Sequence, residues 1–527
     1  YMPGSLWEVV PRRNAPSVPE GETVVAPAIP SRAANGMNSG PCAGLNARWA
    51  GLHGFVSRYD LDPAAGRLLR PERYAHRPEV FALVGGRRDP PRSGSDAGWQ
   101  LCMTSPVVLD EYALAASGRF AAGEEAPALP VTPNAGGGFC ECPGCRALSD
   151  DTAPPQARRS RLVLHFANEV ARRLARDGTT RRVVLKAEGE WADPAPGGSV
   201  EPNVVVFVEG VDGLGGVAAR DALRDRLRRW RAAGARHLGI HQRARGDALV
   251  APFMPLDGLA AEIRLAREEG VEAWVSDDYP SWGLQGPRHW VVARLLWDPA
   301  RDLPQLLDAF CNDLFGPAAR SMNACFRLCR EHAARALRPD ADWPPALRAE
   351  LRALLDLADR QTFGVEPEHS RVRYFAAAFA WAERMAAWRD NGLAAVRAAR
   401  AGDRAGALAF LGNLGEEDQN PLVFMKLALD PLAGAHYCKS DALTPPLLDA
   451  LSHVVHGRAL LAEPVLSLAA KRALASPRLT GAAIEGEIER ALAECLPPHP
   501  DRPARQALPE LRKLARHYAF APYAPSA

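Results

Sequence analysis

The chain has 527 residues with 64 Lys and Arg against 62 Asp and Glu, so its net charge is only +2. That balance excludes the broad basic footprint of a nucleic-acid binder. No apolar run is long enough to span a bilayer, and ten cysteines are too few to scaffold a fold of this size with disulfides. The first part of the chain alternates short apolar runs with amphipathic helical patterns. The runs are "ALPVTPN" ending at Asn134, "RRVVLKAEGE" at Glu190, "NVVVFVEG" at Gly210, "RHLGIHQ" at Gln242 and "VEAWVSDD" at Asp278. Between them lie "RLVLHFANEVARRLARDG", "ARDALRDRLRRWRAAGA" and "DGLAAEIRLAREEG", the last two closing on the helix stops Gly234 and Gly270. Strand and helix in alternation predict parallel β/α units, and near-continuous apolar strands predict a sheet covered on both faces. From about residue 320 the β-type runs cease and the pattern is helical, with Tyr374, Trp381 and Trp388 at seven-residue spacing as a packing stripe.

Neither a Gly-x-Gly-x-x-Gly fingerprint nor a phosphate-loop Gly-Lys-Ser/Thr motif follows any strand, which weakens an open nucleotide-binding sheet. The strands end instead in polar residues: Asn134, Glu188, Glu190, Glu209, His241, Asp277 and Asp278. In a β/α barrel such ends ring one pocket. The expected architecture is therefore α/β, a (β/α)8 TIM-like barrel over residues 1–320 followed by an α-helical domain over 321–527.

In "PNAGGGFCECPGC", Cys140, Cys142 and Cys145 could supply three thiolates and Cys102 a fourth, as a structural zinc requires. Disulfides and ordinary buried thiols are the alternatives, and redox catalysis fits least, because no thioredoxin-like unit surrounds the motif. Gly136, Gly137 and Gly138 read as a βα-loop that lets a ligand approach the backbone. Asp277 and Asp278 stand side by side at a strand end, ahead of Tyr279 and Trp282. Two close carboxylates push one pKa up and so yield an acid and a base, and aromatic rings beside them suit sugar faces. A helix cap or turn is the competing reading. Glu188 and Glu190 share a strand-end face, with Trp191 after them; a solvated loop competes there. His53 and His241 are candidates for hydroxyl contacts or proton transfer, set against the satisfied structural histidine.

Taken in order, "YMPGSLWEVVP", "RYAHRPEVFALVGGRR", "WQLCMTSPVV", "GGGFCECPGCRAL", "GVEAWVSDDYPSWG" and "LLWDPARDLPQLLDAFCNDLFGPAARSM" resemble the bacterial domain of unknown function 4838 over about residues 1 to 330. That domain includes the endo-β-N-acetylglucosaminidases of glycoside hydrolase family 163. The resemblance implies a barrel that cleaves a glycosidic bond of an oligosaccharide or glycan bearing N-acetylglucosamine, with no cofactor in the chemistry and a secreted or periplasmic location. It implies Asp277 or Asp278 as the proton-transfer or orienting carboxylate, Glu188 as a second one, and Asn134, His53, His241, Tyr279 and Trp282 as sugar contacts. It further implies that "YMPG" is the tail of a junction to a small preceding α/β domain. Two positions depart from the family pattern: Ala135 stands where an Asp precedes the glycines, and Asp277 where a Glu is usual. A carboxylate displaced by about 1 Å can cost on the order of 100-fold in rate. A carbohydrate-binding protein with impaired catalysis is therefore the second expectation, and a metal-dependent hydrolase the third.

Overall fold

The computed structural model describes residues 2, 9, 26–34, 43–55, 59–91, 98–121, 128–134, 136–176, 181–243, 252, 254–277, 282–335, 343–401, 403, 406 and 409. The chain divides into two compact units. The first comprises Tyr1–Arg245, Met254–Pro280 and Gly286–Arg338, and the second holds the remainder.

The first unit is built on six strands: β1 Ser31–Ala34, β2 Ala128–Pro130, β3 Arg182–Ala187, β4 Val204–Glu209, β5 His237–Gln242 and β6 Ala273–Ser276. All neighbouring pairs are parallel, in the order β1-β6-β5-β4-β3-β2. Parallel neighbours need a crossover, and helices Ser160–Arg176, Gly216–Ala232 and Leu256–Glu268 supply it before β3, β5 and β6. The order is that of a singly wound barrel opened between β1 and β2, and the sheet curls as a half-barrel. A closed eight-stranded barrel is not seen among the described residues. The five strands expected from apolar runs are present. β1 is an addition, since Ser-Arg-Ala-Ala offers no branched apolar residue to announce a strand.

Register fixes which side chains share the concave face. Val184 pairs with Val205, Phe207 with Gly239, Gly239 with Ala273, and Val275 with Ala33, and paired residues point to one side. Those residues apart from Gly239, with Ala128, form one buried cluster together with Tyr59 and Leu61 from the segment after helix Ala43–Leu52. Tyr59 and Leu61 thus fill the inside of the sheet with side chains that belong to no strand. Below this layer, at the amino ends of the strands, Glu272 accepts from Arg182 Nη1 at 2.6 Å and from Tyr59 Oη at 3.1 Å, and its other oxygen meets His237 Nδ1 at 3.0 Å. Polarity at that end of a β/α sheet reads as stability, and polarity at the carboxyl end as chemistry.

In the second unit, helices Pro345–Thr362 and Glu368–Arg400 pack through Leu351, Leu355, Val372, Phe375 and Phe379, with the Arg348–Asp390 ion pair at 2.6 Å. The side chains of Trp381 and Trp388 lie outside the described residues. Among the described residues no helix is long and apolar enough to cross a membrane.

Candidate functional site

Period-two alternation carries the concave face past the apolar layer to the carboxyl ends of the strands. After Val184 come Lys186 and Glu188, after Phe207 comes Glu209, after Gly239 come His241 and Arg243, and after Val275 comes Asp277. These six side chains pair with one another. His241 Nε2 lies 2.8 Å from Asp277 Oδ2. Lys186 Nζ lies 3.2 Å from Glu188 Oε2, Arg243 Nη2 donates to the same oxygen, and Arg243 Nε lies 3.3 Å from Glu209 Oε1. Burial works against the Arg243 charge, but Glu209 and Glu188 outweigh it and raise the guanidinium above its ordinary value. The His241 side chain is 4% exposed and that of Asp277 43%, so the pair runs from a fixed base to an accessible tip. The Asp277 amide donates to the Gln242 carbonyl at 2.9 Å, which continues the β5–β6 ladder one residue beyond the strand.

The loops beneath these residues are braced. Glu188 opens a 3-10 turn, Gly189–Trp191, in which the Trp191 indole donates to the Lys186 carbonyl at 2.8 Å. Gly189 takes φ +52°, a conformation that glycine adopts without strain. The loop after β4 is held by Glu262, a fully buried carboxylate on helix Leu256–Glu268. It accepts from the amides of Val211 and Gly213 at 2.9 and 3.0 Å and from Gln242 Nε2 at 2.6 Å. Burial is the largest influence on Glu262 and pushes its carboxyl up against the pull of those three donors.

Of the expected site residues, the structure brings Glu188, His241 and Asp277 together. Asn134 has a backbone-satisfying role: its Nδ2 donates to the Trp99 carbonyl at 3.0 Å, and its amide donates to Gln100 at 3.1 Å. Glu190 turns away from Glu188 toward Arg159, at 3.8 Å. Trp282 is buried at the first position of helix Trp282–Trp297. Asp278, Tyr279 and Ala135 lie outside the described residues. Lys186 and Arg243 are members of the cluster that reading strand ends alone passes over, and Glu209 belongs with them. The signal was available in the alternation, because Lys186 is two residues before Glu188 and Arg243 two after His241.

His53 follows helix Ala43–Leu52, stacked on Trp49 at 4.4 Å, with Nδ1 3.0 Å from the Trp49 carbonyl. Burial is the largest influence on it and lowers its pKa from 6.5 to about 4, against the pull of that carbonyl. The unfolded chain then takes up this proton near pH 6.5 and the folded one only near pH 4. Stability from this group is complete above pH 6.5, falls as the pH drops through that window, and levels off below about 4, a loss of up to about 3 kcal/mol. The urea midpoint of His53→Gln is expected to vary less between pH 7 and 4.5 than that of the wild type. Equal variation in the two proteins would refute this.

Cys102, Cys140, Cys142 and Cys145 are buried and their sulfurs all lie within 4.8 Å of one another. None is in a disulfide. Hydrogen bonding from Cys102 first, then from Cys145, pulls the Cys140 thiol far below the usual range, while Cys102 and then Cys140 push the Cys145 thiol up. Four thiols so placed could hold a metal such as zinc. Cys325 and Cys329 are core residues of helix Ala319–Arg335.

A family model described as a domain of unknown function, DUF4838, matches residues 2–326. No curated protein matches the chain. Among solved structures, a GH138 enzyme targeting pectin rhamnogalacturonan II aligns at 11% identity with a TM-score of 0.27, covering 79% of this chain and 48% of that one. The chain spans about half the length of that enzyme, and a likeness at this level carries no argument about site or substrate.

Proposed function

We propose that this chain, which belongs to the DUF4838 family, hydrolyses glycosidic bonds at the cluster formed by Lys186, Glu188, Glu209, His241, Arg243 and Asp277. The observation that carries the reading is the convergence of three carboxylates, two cations and a buried histidine at the carboxyl ends of β3, β4, β5 and β6. Glycoside cleavage needs one carboxyl group to protonate the departing oxygen and another negative group to support the cationic ring or direct the attacking group. Asp277, exposed at its tip and oriented by His241, is assigned the proton-transfer or orienting role. Glu188, braced by Lys186 and Arg243, is assigned the second. The sheet is read as part of a (β/α)8 barrel over residues 1–320, ahead of a helical domain over 321–527. Asn134, His53, Tyr279 and Trp282 remain assigned to the sugar from their residue types, their positions and the family resemblance, and Asp278 is held as a neighbour able to share the work of Asp277. The substrate is an oligosaccharide or glycan containing N-acetylglucosamine, met in a secreted or periplasmic location. The chemistry draws on no cofactor, and a zinc at the four thiols would be structural.

Ala135 favours one second reading, a glycan-binding protein with impaired turnover. Incubation with a panel of N-glycans and acetamido-sugar glycosides, read by mass spectrometry of released sugars, tests both. Release by the wild type and its loss in Glu188→Gln support hydrolysis. Calorimetric binding without release over days supports the second reading, and neither binding nor release sinks both.

A further inference from the structure

We infer that Cys102, Cys140, Cys142 and Cys145 bind a single zinc ion as a tetrahedral tetrathiolate that ties two separate chain segments into one unit. The inference stands apart from the hydrolase reading and rests on the geometry of the four sulfurs.

A zinc–sulfur bond of about 2.3 Å in a tetrahedron sets the sulfurs about 3.8 Å apart. Cys102 Sγ lies 3.7 Å from Cys142 Sγ and 4.0 Å from Cys145 Sγ. A disulfide would need about 2.0 Å. Four thiols packed for hydrophobic reasons alone have no cause to converge on one centre, and an all-sulfur tetrahedron selects zinc or iron among common metals. Zinc is assigned because the site is closed and buried on all four ligands, the form that structural zinc takes.

The surroundings suit the charge such a centre carries. Four thiols lose four protons to one divalent ion, which leaves two negative charges to be compensated. The Leu83 amide donates to Cys140 Sγ at 3.2 Å, and the Cys145 amide to Cys142 Sγ at 3.5 Å. Arg88 Nη1 lies 4.0 Å from Cys140 Sγ, and Thr104 Oγ1 lies 3.2 Å from Cys145 Sγ. Cys142 caps the short helix Pro143–Ala147, so the Cys-x-x-Cys pair forms a tight turn around its amides. Gly144 belongs to that turn by necessity: a Cβ there would stand 2.8 Å from Thr104 Oγ1.

The ligands come from Cys102, which directly follows the Phe81–Leu101 bridge, and from the loop after β2. The Glu141 amide donates to the Leu83 carbonyl at 2.7 Å and the Cys102 amide to the Val80 carbonyl at 2.9 Å, so the backbone already aligns the two ligand-bearing segments against the stretch that holds Val80 and Leu83. Phe139, next to the first ligand of the loop, packs edge-on against Trp191 at 5.7 Å, and Trp191 in turn braces Lys186. A Cβ on Gly138 would lie 2.4 Å from the Gly98 carbonyl, so this loop and the segment before Trp99 meet backbone to backbone.

The test is elemental analysis of the full chain purified under reducing conditions without chelator. One zinc per chain is expected, with the four cysteines protected from iodoacetamide until the metal is removed. Replacing the zinc by cobalt(II) in the wild-type protein should give the intense visible d–d bands and sulfur-to-metal charge transfer of tetrahedral thiolate cobalt. That readout needs no variant to fold. Cys142→Ser should lower the zinc content and shift the cobalt bands. Zinc far below one per chain after reconstitution, with all four thiols alkylated at the rate of the unfolded chain, would overturn the site. Stoichiometric iron in place of zinc would overturn the choice of ion.

Discussion

Asp277→Asn is expected to lower kcat on a responsive glycan by about 100- to 10,000-fold, the usual contribution of a positioned acid or base, while thermal stability stays close to that of the wild type. The substitution keeps the shape of the side chain, and an amide oxygen can still accept from His241 Nε2, so the buried imidazole keeps a partner. The Asp277 backbone is held independently through its bond to the Gln242 carbonyl. Its side chain is 43% exposed, and the amide of the variant still accepts from the buried His241, so the pair keeps its hydrogen bond. What the variant loses is a strand-end carboxylate bonded to His241 and adding to the negative field on Arg243. Asp277→Glu adds the informative contrast, since it keeps the charge and moves it by one methylene toward the residue usual in the resembling family. Activity of Asp277→Glu at or above that of the wild type, alongside the collapse in Asp277→Asn, would tie the loss to charge rather than to shape. Wild-type turnover by Asp277→Asn would remove Asp277 from the chemistry and leave Glu188 and Glu209 to carry it.

Most of the sheet could be read in advance, because β3 to β6 are apolar runs that end on polar residues, and a parallel strand covered on both faces has little else to show. β1 could not, since Ser31–Ala34 is four small or polar residues held by pairing with β6. The filling of the sheet by Tyr59 and Leu61 was equally hidden, because no local pattern marks a loop residue that will complete a distant core. At the site, strand-end position identified Glu188, His241 and Asp277. It also nominated Asn134, whose side chain turns back to satisfy the Trp99 carbonyl; His53 was a candidate by residue type alone, and its partner is one helical turn away. A residue type at a strand end says that a side chain can reach the pocket; parity with the apolar residues below it says which face it starts from, and Asn134, which shares the parity of Ala128, still turns back to the backbone. Applied along β3 and β5, parity would have added Lys186 and Arg243, the cations that hold the carboxylates together. The cysteine spacing left a metal site, disulfides and ordinary thiols open, and the fold adds that the four unlinked sulfurs lie within 4.8 Å of one another.

Phe207→Ala is expected to destabilise the sheet unit by about 3–5 kcal/mol, the cost of emptying a large aromatic site in a core. Phe207 is fully buried on the concave face, with Tyr59 edge-on at 5.4 Å. Its ring occupies the space above Gly239, where a Cβ would come within 2.4 Å of the ring. The site cannot collapse easily on the sheet side, because Val205 and Gly239 there belong to strands fixed by their ladders; only Tyr59, from outside the strands, is placed to relax toward the space. Gly239→Ala should therefore be destabilising as well, by about 1–3 kcal/mol through overpacking. The two substitutions should compensate in part when combined, since the added methyl enters the space the ring has left. Urea unfolding followed by tryptophan fluorescence would measure all three proteins. An additive double mutant would show that the residues do not share this space, and a loss below about 1 kcal/mol for Phe207→Ala would show that the layer is less tightly filled than the register implies. The same cavity bears on activity. Phe207 lies two residues below Glu209 on the same face, so it is the floor under the Glu209–Arg243–Glu188 chain. At a temperature where Phe207→Ala is still folded, its activity should fall further than that of an equally destabilised variant at the opposite end of the sheet, such as one at the Arg182–Glu272 pair. Equal losses would mean that the site depends on global stability alone. A larger loss for Phe207→Ala would mean that the carboxylates are positioned by the apolar layer beneath them.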